Sequence, residues 1–289
     1  MSRERSTTPE QVFRLATTEN KPRSILDNPV IREMYEAGKF KGKKIAVILD
    51  GNGRWAEEHG LSVTEGHKAG AEATKAIMQA CKDLEMDVSL WILSPNNLAK
   101  RSRKELKGID KILRSQMGEL VNEADRSNGR IMHVGETYGL SLRLRYQLWR
   151  AQRKTKNNTG PVLGLAVNYG GIEQIKRIAK RANREKRGTN YDAEGKIESM
   201  MYGGGVIKPV DILIRTGKVK RLSGLEKPFT GDHTELFFPD VYLPDFDLEI
   251  FEEILIDFDK RTRTLGGRNG HSVEQTKPFG PFQVLFKRN

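Results

Sequence analysis

The stretch "IAVILDGNGRWA", residues 45–56, decides the fold, because a run of strand-forming residues ends abruptly in an acid, two glycines and an arginine. Apolar residues between Lys44 and a Gly/Asn turn are typical of a strand buried on both faces. Gly51 and Gly53 allow a sharp turn, and "RWAEEHG" begins a helix whose N-terminus points to the same place. This geometry predicts an anion-binding loop. Asp50 would itself repel phosphate, so it is best explained as a ligand of a divalent cation that bridges to the phosphate.

Short apolar strands alternate with helices along the rest of the chain. The expected strands span residues 45–49, 88–94, 130–136, 161–170 and 210–217, and the expected helices span residues 68–84, 103–125 and 139–154, with another that ends near residue 184. This order predicts an α/β fold, a single domain whose central, mostly parallel sheet is flanked by helices. Polar clusters follow four of the strands, and we expect them to form one site at the carboxyl edge of the sheet.

The two ends of the chain are expected to lie outside this domain. Residues 1–41 contain the helical stretch "NPVIREMYEAG" and are predicted to form a partly helical appendage. Residues 269–289 show glycine, proline and charge without periodicity, which predicts a flexible C-terminal tail. The stretch 221–245 is rich in loop residues and holds only a short apolar segment, "ELFF". The domain itself is therefore assigned to residues 42–268.

Composition limits the class of protein and its surroundings. Of 289 residues, 50 are Lys or Arg and 38 are Asp or Glu, and the formal charge of +12 predicts attraction to polyanions, diphosphates or an anionic membrane surface without choosing among them. No apolar run approaches the roughly 20 residues that span a bilayer, and we do not expect the polar N-terminus to act as a signal peptide. The single Cys81 cannot form an internal disulfide, which favours a reducing compartment. We expect a cytoplasmic protein, with peripheral contact to a membrane as an open alternative.

Several charged residues could contribute chemistry besides Asp50. His67 is expected near the start of a helix, where anions are stabilised, although a histidine there is more often a cap or a surface residue. Arg215, Arg221 and Ser223 follow a buried strand, and guanidinium groups suit diphosphate oxygens, although a solvated basic loop explains them equally well. Glu235 taken alone is an ordinary surface charge. No HExxH, CxxC, GxSxG or Walker-type motif is present, so the common metalloprotease, redox, esterase and nucleoside-triphosphatase functions are not indicated.

The order of motifs along the chain resembles one family. The segments "LDGNGRWA", "GHKAG", "NYGG", "DILIRTG", "RLS", "ELFFPD" and "RTRTLGG" together resemble the cis-prenyltransferases, the undecaprenyl or decaprenyl diphosphate synthase family, over about residues 42–268. The resemblance implies a homodimer with one central sheet per subunit and a hydrophobic cleft for the growing chain. It also implies Mg²⁺-dependent condensation of an allylic diphosphate with isopentenyl diphosphate. The helix at 103–125 could supply one wall of that cleft, although plain core packing is the more common use of apolar residues at helical spacing.

The resemblance also implies roles for single residues at the first substrate site. Asp50 corresponds to the central acid that helps to place Mg²⁺ on the diphosphates. The residues that correspond to the allylic diphosphate site are Gly51, Asn52, Gly53, Arg54 and His67. Ionising an allylic diphosphate creates a carbocation and a polyanionic leaving group, so cations are needed on the leaving side and water must be excluded.

Further roles implied by the resemblance fall on later segments. Arg215, Arg221 and Ser223 correspond to the second diphosphate site, and Glu235 to a Mg²⁺ ligand. Asn97 corresponds to an asparagine near the proton-abstraction step. The segment that can complete a partner subunit's site corresponds here to Arg263, Gly266 and Gly267.

The chain departs from the family pattern mainly at the second substrate site. The family segment Ser-x-Glu-Asn-Trp-x-Arg appears here as "SPNNLAKR", which replaces its glutamate with Asn96, its tryptophan with Leu98 and its arginine with Lys100. In "RTGKVKRLSG", Lys218 and Val219 replace a Gly-Glu pair. Two further departures are Gly224 for an asparagine and Val63 for an arginine. The lavandulyl-type branch, which joins prenyl units in non-head-to-tail fashion with dimethylallyl diphosphate as acceptor, similarly lacks both glutamates, so irregular coupling is as plausible here as ordinary elongation.

Two other classes of function remain as alternatives. A non-catalytic partner subunit of a heteromeric enzyme would resemble the family members that lack the central acid, whereas Asp50 is retained here. Binding of RNA or DNA through the positive charge is disfavoured because no aromatic stacking motif or recognition helix is present. We therefore expect diphosphate substrates and no nucleic-acid partner.

Overall fold

The fold is described from a computed structural model that covers residues 23–185, 190, 195–222, 224 and 230–261. Four residues with predicted roles lie outside this part of the chain, namely Ser223, Arg263, Gly266 and Gly267. The tail predicted at residues 269–289 also lies outside it. These predictions therefore stay predictions.

A six-stranded sheet forms the centre of the described chain, with the strand order β3-β4-β2-β1-β5-β6. The strands are β1 (Lys44–Ile48), β2 (Asp87–Leu93), β3 (Arg130–Val134), β4 (Val162–Val167), β5 (Val210–Arg215) and β6 (Thr230–Phe237). All five pairings are parallel, which confirms the α/β prediction. The sixth strand corrects the prediction of a loop-rich segment, because "TGDHTELF" pairs with β5 although its own sequence is largely polar.

Helices cover both faces of this sheet. They are α1 (Pro29–Glu36), α2 (Asn52–Glu58), α3 (Val63–Asp83), α4 (Pro95–Lys100), α5 (Arg103–Arg126), α6 (Leu142–Lys154), α7 (Gly171–Ala182), α8 (Lys196–Met200) and α9 (Leu248–Lys260). Short 3-10 turns lie at Ile25–Asp27 and Leu243–Asp245. Within the described ranges, no helix combines the length and apolar character that crossing a bilayer requires.

The core lies on the two faces of the sheet because alternate strand residues point in opposite directions. In β1, Ile45 and Val47 belong to the main hydrophobic cluster, while Ala46 belongs to a smaller cluster on the other face. The main cluster is completed by side chains of α1, α3, α5, α6 and α9. Cys81 is fully buried within it, and burial raises the pKa of its thiol, so it packs as a small hydrophobe.

The described part of the predicted N-terminal appendage contributes to this core. Ile25, Ile31 and Phe40 are at most 2% exposed and belong to the main cluster. The Asn28 amide donates a hydrogen bond to Glu252 Oε2 on α9 at 2.8 Å. Residues 23–41 therefore cover α9 and one side of the sheet.

Candidate functional site

The Asp50 carboxylate lies between two guanidinium groups at the carboxyl edge of the sheet. Arg54 Nη2 donates to Asp50 Oδ1 at 3.1 Å, and Arg215 Nη2 donates to Oδ2 at 2.7 Å. Arg215 is the last residue of β5 and is 4% exposed, and its second donor, Nη1, bonds the backbone carbonyl of Arg221. Because adjacent parallel strands end at the same edge, β1 and β5 bring these charges together although they are distant in sequence.

The backbone at Asp50 is held by β5 and by the segment after β6. The Asp50 amide donates to Thr216 Oγ1 at 3.1 Å, and the Thr216 hydroxyl donates to the Asp50 carbonyl at 2.7 Å. The same carbonyl accepts from the Leu243 amide at 3.1 Å. Thr216 was not predicted as a site residue, although it stands in the "RTG" segment, and it holds the backbone of Asp50 at the edge of the sheet.

The loop after β1 makes the sharp turn that its glycines predict. Gly51 has φ 106°, in the left-handed region that a side chain would strain. A Cβ built there would lie 2.7 Å from Tyr242 Cδ1. Helix α2 begins at Asn52, so the amides of the loop lie in a helical first turn and have no intrahelical acceptor. The loop therefore presents amide donors and Asp50 to the same space.

Helix α3 packs unusually close to this loop because it carries glycines where the two meet. A Cβ at Gly66 would lie 2.1 Å from the Asn52 carbonyl oxygen, and a Cβ at Gly70 would lie 2.1 Å from Asn52 Oδ1. The "GHKAG" segment was used to predict only a histidine role. Its two glycines are positioning residues that sequence reasoning missed.

His67 joins the loop to helix α5 through its two ring nitrogens. Nδ1 lies 3.3 Å from Asn52 Nδ2, and Nε2 lies 3.2 Å from Glu105 Oε1. With the Asn52 amide in this orientation, Nδ1 accepts and the Nε2 proton is donated to Glu105. Burial lowers the pKa of His67 below its usual value, against the opposing effect of the Glu105 hydrogen bond. The imidazole is therefore neutral at pH 7.

The place of His67 in its helix corrects the prediction. Helix α3 begins at Val63, where Ser62 and Glu65 form a capping box, rather than near residue 68. His67 thus lies in the second turn, and the favourable field of a helix N-terminus falls off within the first turn. The expectation that His67 lies at an anion-stabilising helix start is wrong. Its side chain instead reaches the site from the helix face.

The loop after β1, His67 and the start of α5 line a pocket of about 580 Å³. The pocket brings together six residues predicted for the allylic site and the metal, namely Asp50, Gly51, Asn52, Gly53, Arg54 and His67. Arg101 and Glu105 also line it and were not predicted. Arg101 directly follows Lys100, so a guanidinium group lies one position after the place where the family carries its arginine. Val63 also lines the pocket, so an apolar side chain stands where the family carries an arginine.

An apolar cavity of about 80 Å³ adjoins this pocket between α3, α5 and the sheet. The two share Leu49, Asn52, His67 and Arg101 as lining residues. The helix that was expected to supply a wall does so, with Ile109, Leu113, Met117 and Leu120 all facing the cavity. A polar pocket, lined by Arg54 and Arg101 as well as by three acids, therefore opens directly onto an apolar space.

Other predicted residues lie away from the pocket. Asn97 Oδ1 accepts from the Ser94 amide at 3.1 Å and from its hydroxyl at 2.9 Å, so Asn97 completes the capping box in which Ser94 is the N-cap of α4. Glu235 lies on β6 and is paired with Arg261 at 2.8 Å. Arg221 is exposed beyond the end of β5. Within the described chain, none of these three side chains lines the 580 Å³ pocket.

The expectation that four polar strand ends form one site is therefore only half met. The ends of β1 and β5 meet at Asp50, but the side chains after β2 and β4 bond elsewhere. Asn168 donates to the Tyr138 carbonyl at 2.9 Å, and Ser94 and Asn97 bond each other. Asn168 thus bonds the loop after β3, whereas Ser94 and Asn97 bond within the turn at which α4 begins.

Lys218 changes the charge beside the Asp50 loop. It has φ 56°, a left-handed conformation at a place where the family carries glycine. Its ammonium lies 4.3 Å from the centroid of the Tyr242 ring, and the Arg54 guanidinium lies 5.4 Å from the same centroid. Two cations thus flank one aromatic ring next to Gly51.

A Lys218→Gly variant is expected to be more stable than the wild type by about 1 kcal/mol, because glycine adopts this conformation without strain. It should also raise the KM for a diphosphate substrate, because a cation is lost beside the pocket. Thermal denaturation and steady-state kinetics measure the two effects. The control is Lys220→Gly, an exposed lysine without positive φ, which should lose rather than gain stability. A destabilised Lys218→Gly would contradict the strain argument.

The fold and the site together define an α/β protein with a polar, charged pocket that contains two arginines and lies beside an apolar space. Prenyltransf, the model of the undecaprenyl diphosphate synthase family, matches residues 48–266. The chain belongs to this family of prenyltransferases.

Individual relatives agree with this assignment. The isoprenyl transferase of Treponema denticola is 35% identical over 226 residues, which cover 78% of this chain and 97% of the relative. The ditrans,polycis-undecaprenyl-diphosphate synthase ((2E,6E)-farnesyl-diphosphate specific) of Wigglesworthia glossinidia brevipalpis is 34% identical over 238 residues, covering 79% and 89%. The crystal structure of lavandulyl diphosphate synthase from Lavandula x intermedia in complex with dimethylallyl diphosphate is similar with a TM-score of 0.70 and 28% identity, over 76% of this chain and 96% of that one.

Proposed function

We propose that this protein transfers a prenyl group from an allylic prenyl diphosphate to a five-carbon diphosphate, isopentenyl or dimethylallyl diphosphate, and makes a longer prenyl diphosphate. The observation that carries the proposal is the Asp50 carboxylate held between Arg54 and Arg215 in a pocket that opens onto an apolar cavity. An amphiphile with an anionic head and an apolar tail matches both spaces at once.

The protein's own groups account for the requirements of such a reaction. Arg54, Arg101 and the amides of the Gly51 loop stabilise negative charge on the departing diphosphate. The apolar side chains of α3 and α5 hold the prenyl tail and keep water from the carbocation. His67 is neutral and donates to Glu105, so it orients the Asn52 side chain rather than supplying charge.

Mg²⁺ is proposed as the cofactor, with Asp50 as its protein ligand. Each Asp50 oxygen accepts one guanidinium donor and retains a further lone pair for a cation. In the described part of the chain, no three His, Cys, Asp or Glu residues form a metal-binding group. A single carboxylate fits Mg²⁺, which takes its other ligands from water and substrate phosphates. The ion would neutralise charge on the diphosphates. Glu235, paired with Arg261, is the second proposed ligand.

Irregular coupling is a second candidate, favoured by the altered acceptor side. Asn96 replaces the family glutamate, while Lys218 and Val219 replace the Gly-Glu pair. Acids at these positions could accept or relay the proton that the acceptor substrate loses. Their loss therefore alters how that substrate is deprotonated. The similarity to a lavandulyl diphosphate synthase structure that holds dimethylallyl diphosphate supports testing this acceptor.

Mass spectrometry of the products tests the reaction and its acceptor. The pure protein is incubated with Mg²⁺ and labelled dimethylallyl diphosphate, with and without isopentenyl diphosphate and longer allylic primers. A product from dimethylallyl diphosphate alone would support irregular coupling. Products only with isopentenyl diphosphate would support ordinary elongation and reject irregular coupling. The absence of product in every mixture, from protein shown to be folded, would contradict the proposed function.

A homodimer is part of the same proposal. Ile172 and Ile175 lie one turn apart on α7 and are 54% and 53% exposed, which leaves an apolar patch for a second copy. By resemblance, Arg263, Gly266 and Gly267 complete the partner's site. A role as non-catalytic partner subunit has no observation in its favour, because Asp50 and its arginine partners are present. Peripheral contact with a membrane is also proposed, since a long prenyl diphosphate is a lipid.

A further inference from the structure

Helix α6 exposes large apolar side chains on the face opposite its packed one. Leu144, Leu148 and Ala151 are buried against the core. The opposite face exposes Leu142 to 77%, Tyr146 to 60% and Trp149 to 53%. Burying such side chains is worth roughly 1.5–3 kcal/mol each, so a row of them left in water indicates a surface with an occupant.

The exposed residues form one continuous row. Leu142, Tyr146, Trp149 and Arg153 are spaced by four, three and four residues, which places them along one line of the helix. The Tyr146 and Trp149 ring centroids are 5.9 Å apart, and the Arg153 guanidinium lies 5.6 Å from the Trp149 ring. We call these four residues the aromatic row. They are preorganised side by side, without any covering element among the described residues.

Positive charge flanks the aromatic row on both sides. The α6 sequence "LRLRYQLWRAQRK" contains no acid and five cations, namely Arg143, Arg145, Arg150, Arg153 and Lys154. Lys154 is paired with Asp125 at 3.0 Å. Arg143, Arg145 and Arg150 are exposed and have no ion-pair partner within the described residues. The partner of this face therefore has to accept apolar and aromatic groups at its surface and carry negative charge beside them.

We propose that the aromatic row docks on an anionic lipid bilayer, with Leu142, Tyr146 and Trp149 at headgroup depth and the arginines on lipid phosphates. Tyr and Trp suit this boundary because each has an apolar body and a polar edge. A helix with a basic polar side and an apolar side lies in the plane of the interface. Leu142 is the most exposed of the three and has no stacking surface, which favours lipid over a nucleic acid.

The position of α6 agrees with the proposed function. The inference rests on that function in one respect only, namely that the product is a lipid. The segment after α6 reaches β4 through Thr159, Gly160 and Pro161, which line a cavity of about 740 Å³. This cavity shares Met78, Gln116 and Leu120 with the apolar cavity beside the Asp50 pocket. Docking through α6 would hold the wide cavity close to the bilayer.

Vesicle flotation of the full chain tests the docking surface without any need for catalysis. Vesicles of phosphatidylcholine alone are compared with vesicles that also contain phosphatidylglycerol. We expect binding to the anionic vesicles, and a loss of at least about tenfold in partitioning for Tyr146→Ser/Trp149→Ser and for Arg143→Glu/Arg150→Glu. The control Lys208→Glu/Lys260→Glu makes the same charge change at exposed residues of other elements and should bind like the wild type.

A second readout reports the depth of Trp149. Brominated lipids should quench the fluorescence of the wild type more than that of Trp149→Phe, because only Trp149 lies in the docking face. Equal flotation of the wild type and both α6 variants would overturn the proposal. Preferential binding of the protein to single-stranded RNA over vesicles would also overturn it. An oligomer of the wild type that dissociates in the Tyr146→Ser/Trp149→Ser variant would do the same. Prenyl transfer in detergent should be unchanged in the α6 variants, so failure of docking and failure of the proposed reaction are distinguished.

Discussion

An Asp50→Asn variant is expected to lose about 10³-fold in kcat for prenyl transfer while it remains folded. Asparagine keeps the shape of the side chain but removes the negative charge that faces Arg54 and Arg215. It also removes the proposed protein ligand of Mg²⁺. Because Arg215 keeps the Arg221 carbonyl as an acceptor, the free energy of unfolding should fall by only about 1–2 kcal/mol.

Product formation and thermal denaturation of the Asp50 variant separate these two effects. The matched control is Asp110→Asn, which removes an acid paired with Arg114 at 2.7 Å on α5, away from the pocket. Its kcat should stay within about twofold of the wild type because no substrate group is near. An Asp50→Asn protein with at least a tenth of wild-type kcat would show that the Asp50 loop is not the reaction centre.

A Gly66→Ala variant is expected to lose about 3 kcal/mol of stability, because the new methyl group has no room. Its Cβ would lie 2.1 Å from the Asn52 carbonyl oxygen and 2.8 Å from Ala56 Cβ. The first of these atoms belongs to the backbone of the Asp50 loop, so α3 and the loop must move apart. The same movement should lower kcat/KM, since it displaces the amides that face the substrate.

The control for this effect is Gly118→Ala on α5, where a Cβ would meet no atom within 4 Å. Both glycines lie inside helices, so the substitution has the same effect on helix propensity at the two positions. Gly118→Ala should therefore gain up to about 1 kcal/mol of stability. Chemical denaturation measures both variants. Equal stability of Gly66→Ala and the wild type would show that the close contact between α3 and the loop is not required.

The sequence predicted most of the fold because its strands are short, apolar and bounded by turns. The strand at β1 was predicted at residues 45–49 and lies at Lys44–Ile48. The predicted alternation of strands and helices is also the one that the structure shows. The start of α3 was placed too late, although Ser62 and Glu65 carry the spacing of a capping box. Strand β6 was missed because its polar sequence gives no alternation, and only pairing with β5 makes it a strand.

What the sequence alone determined is local, and what the tertiary structure decided depends on contacts between distant residues. The Asp50 loop is set by two glycines and a buried strand within one short stretch, so its turn was readable from the sequence. The sequence did not reveal the pairing of Asp50 with Arg215, the place of Arg101 in the pocket or the use of Asn97 in a capping box with Ser94. A residue's type states which partners it can bind, but strand order and the close approach of α3 decide which partner lies within hydrogen-bonding distance.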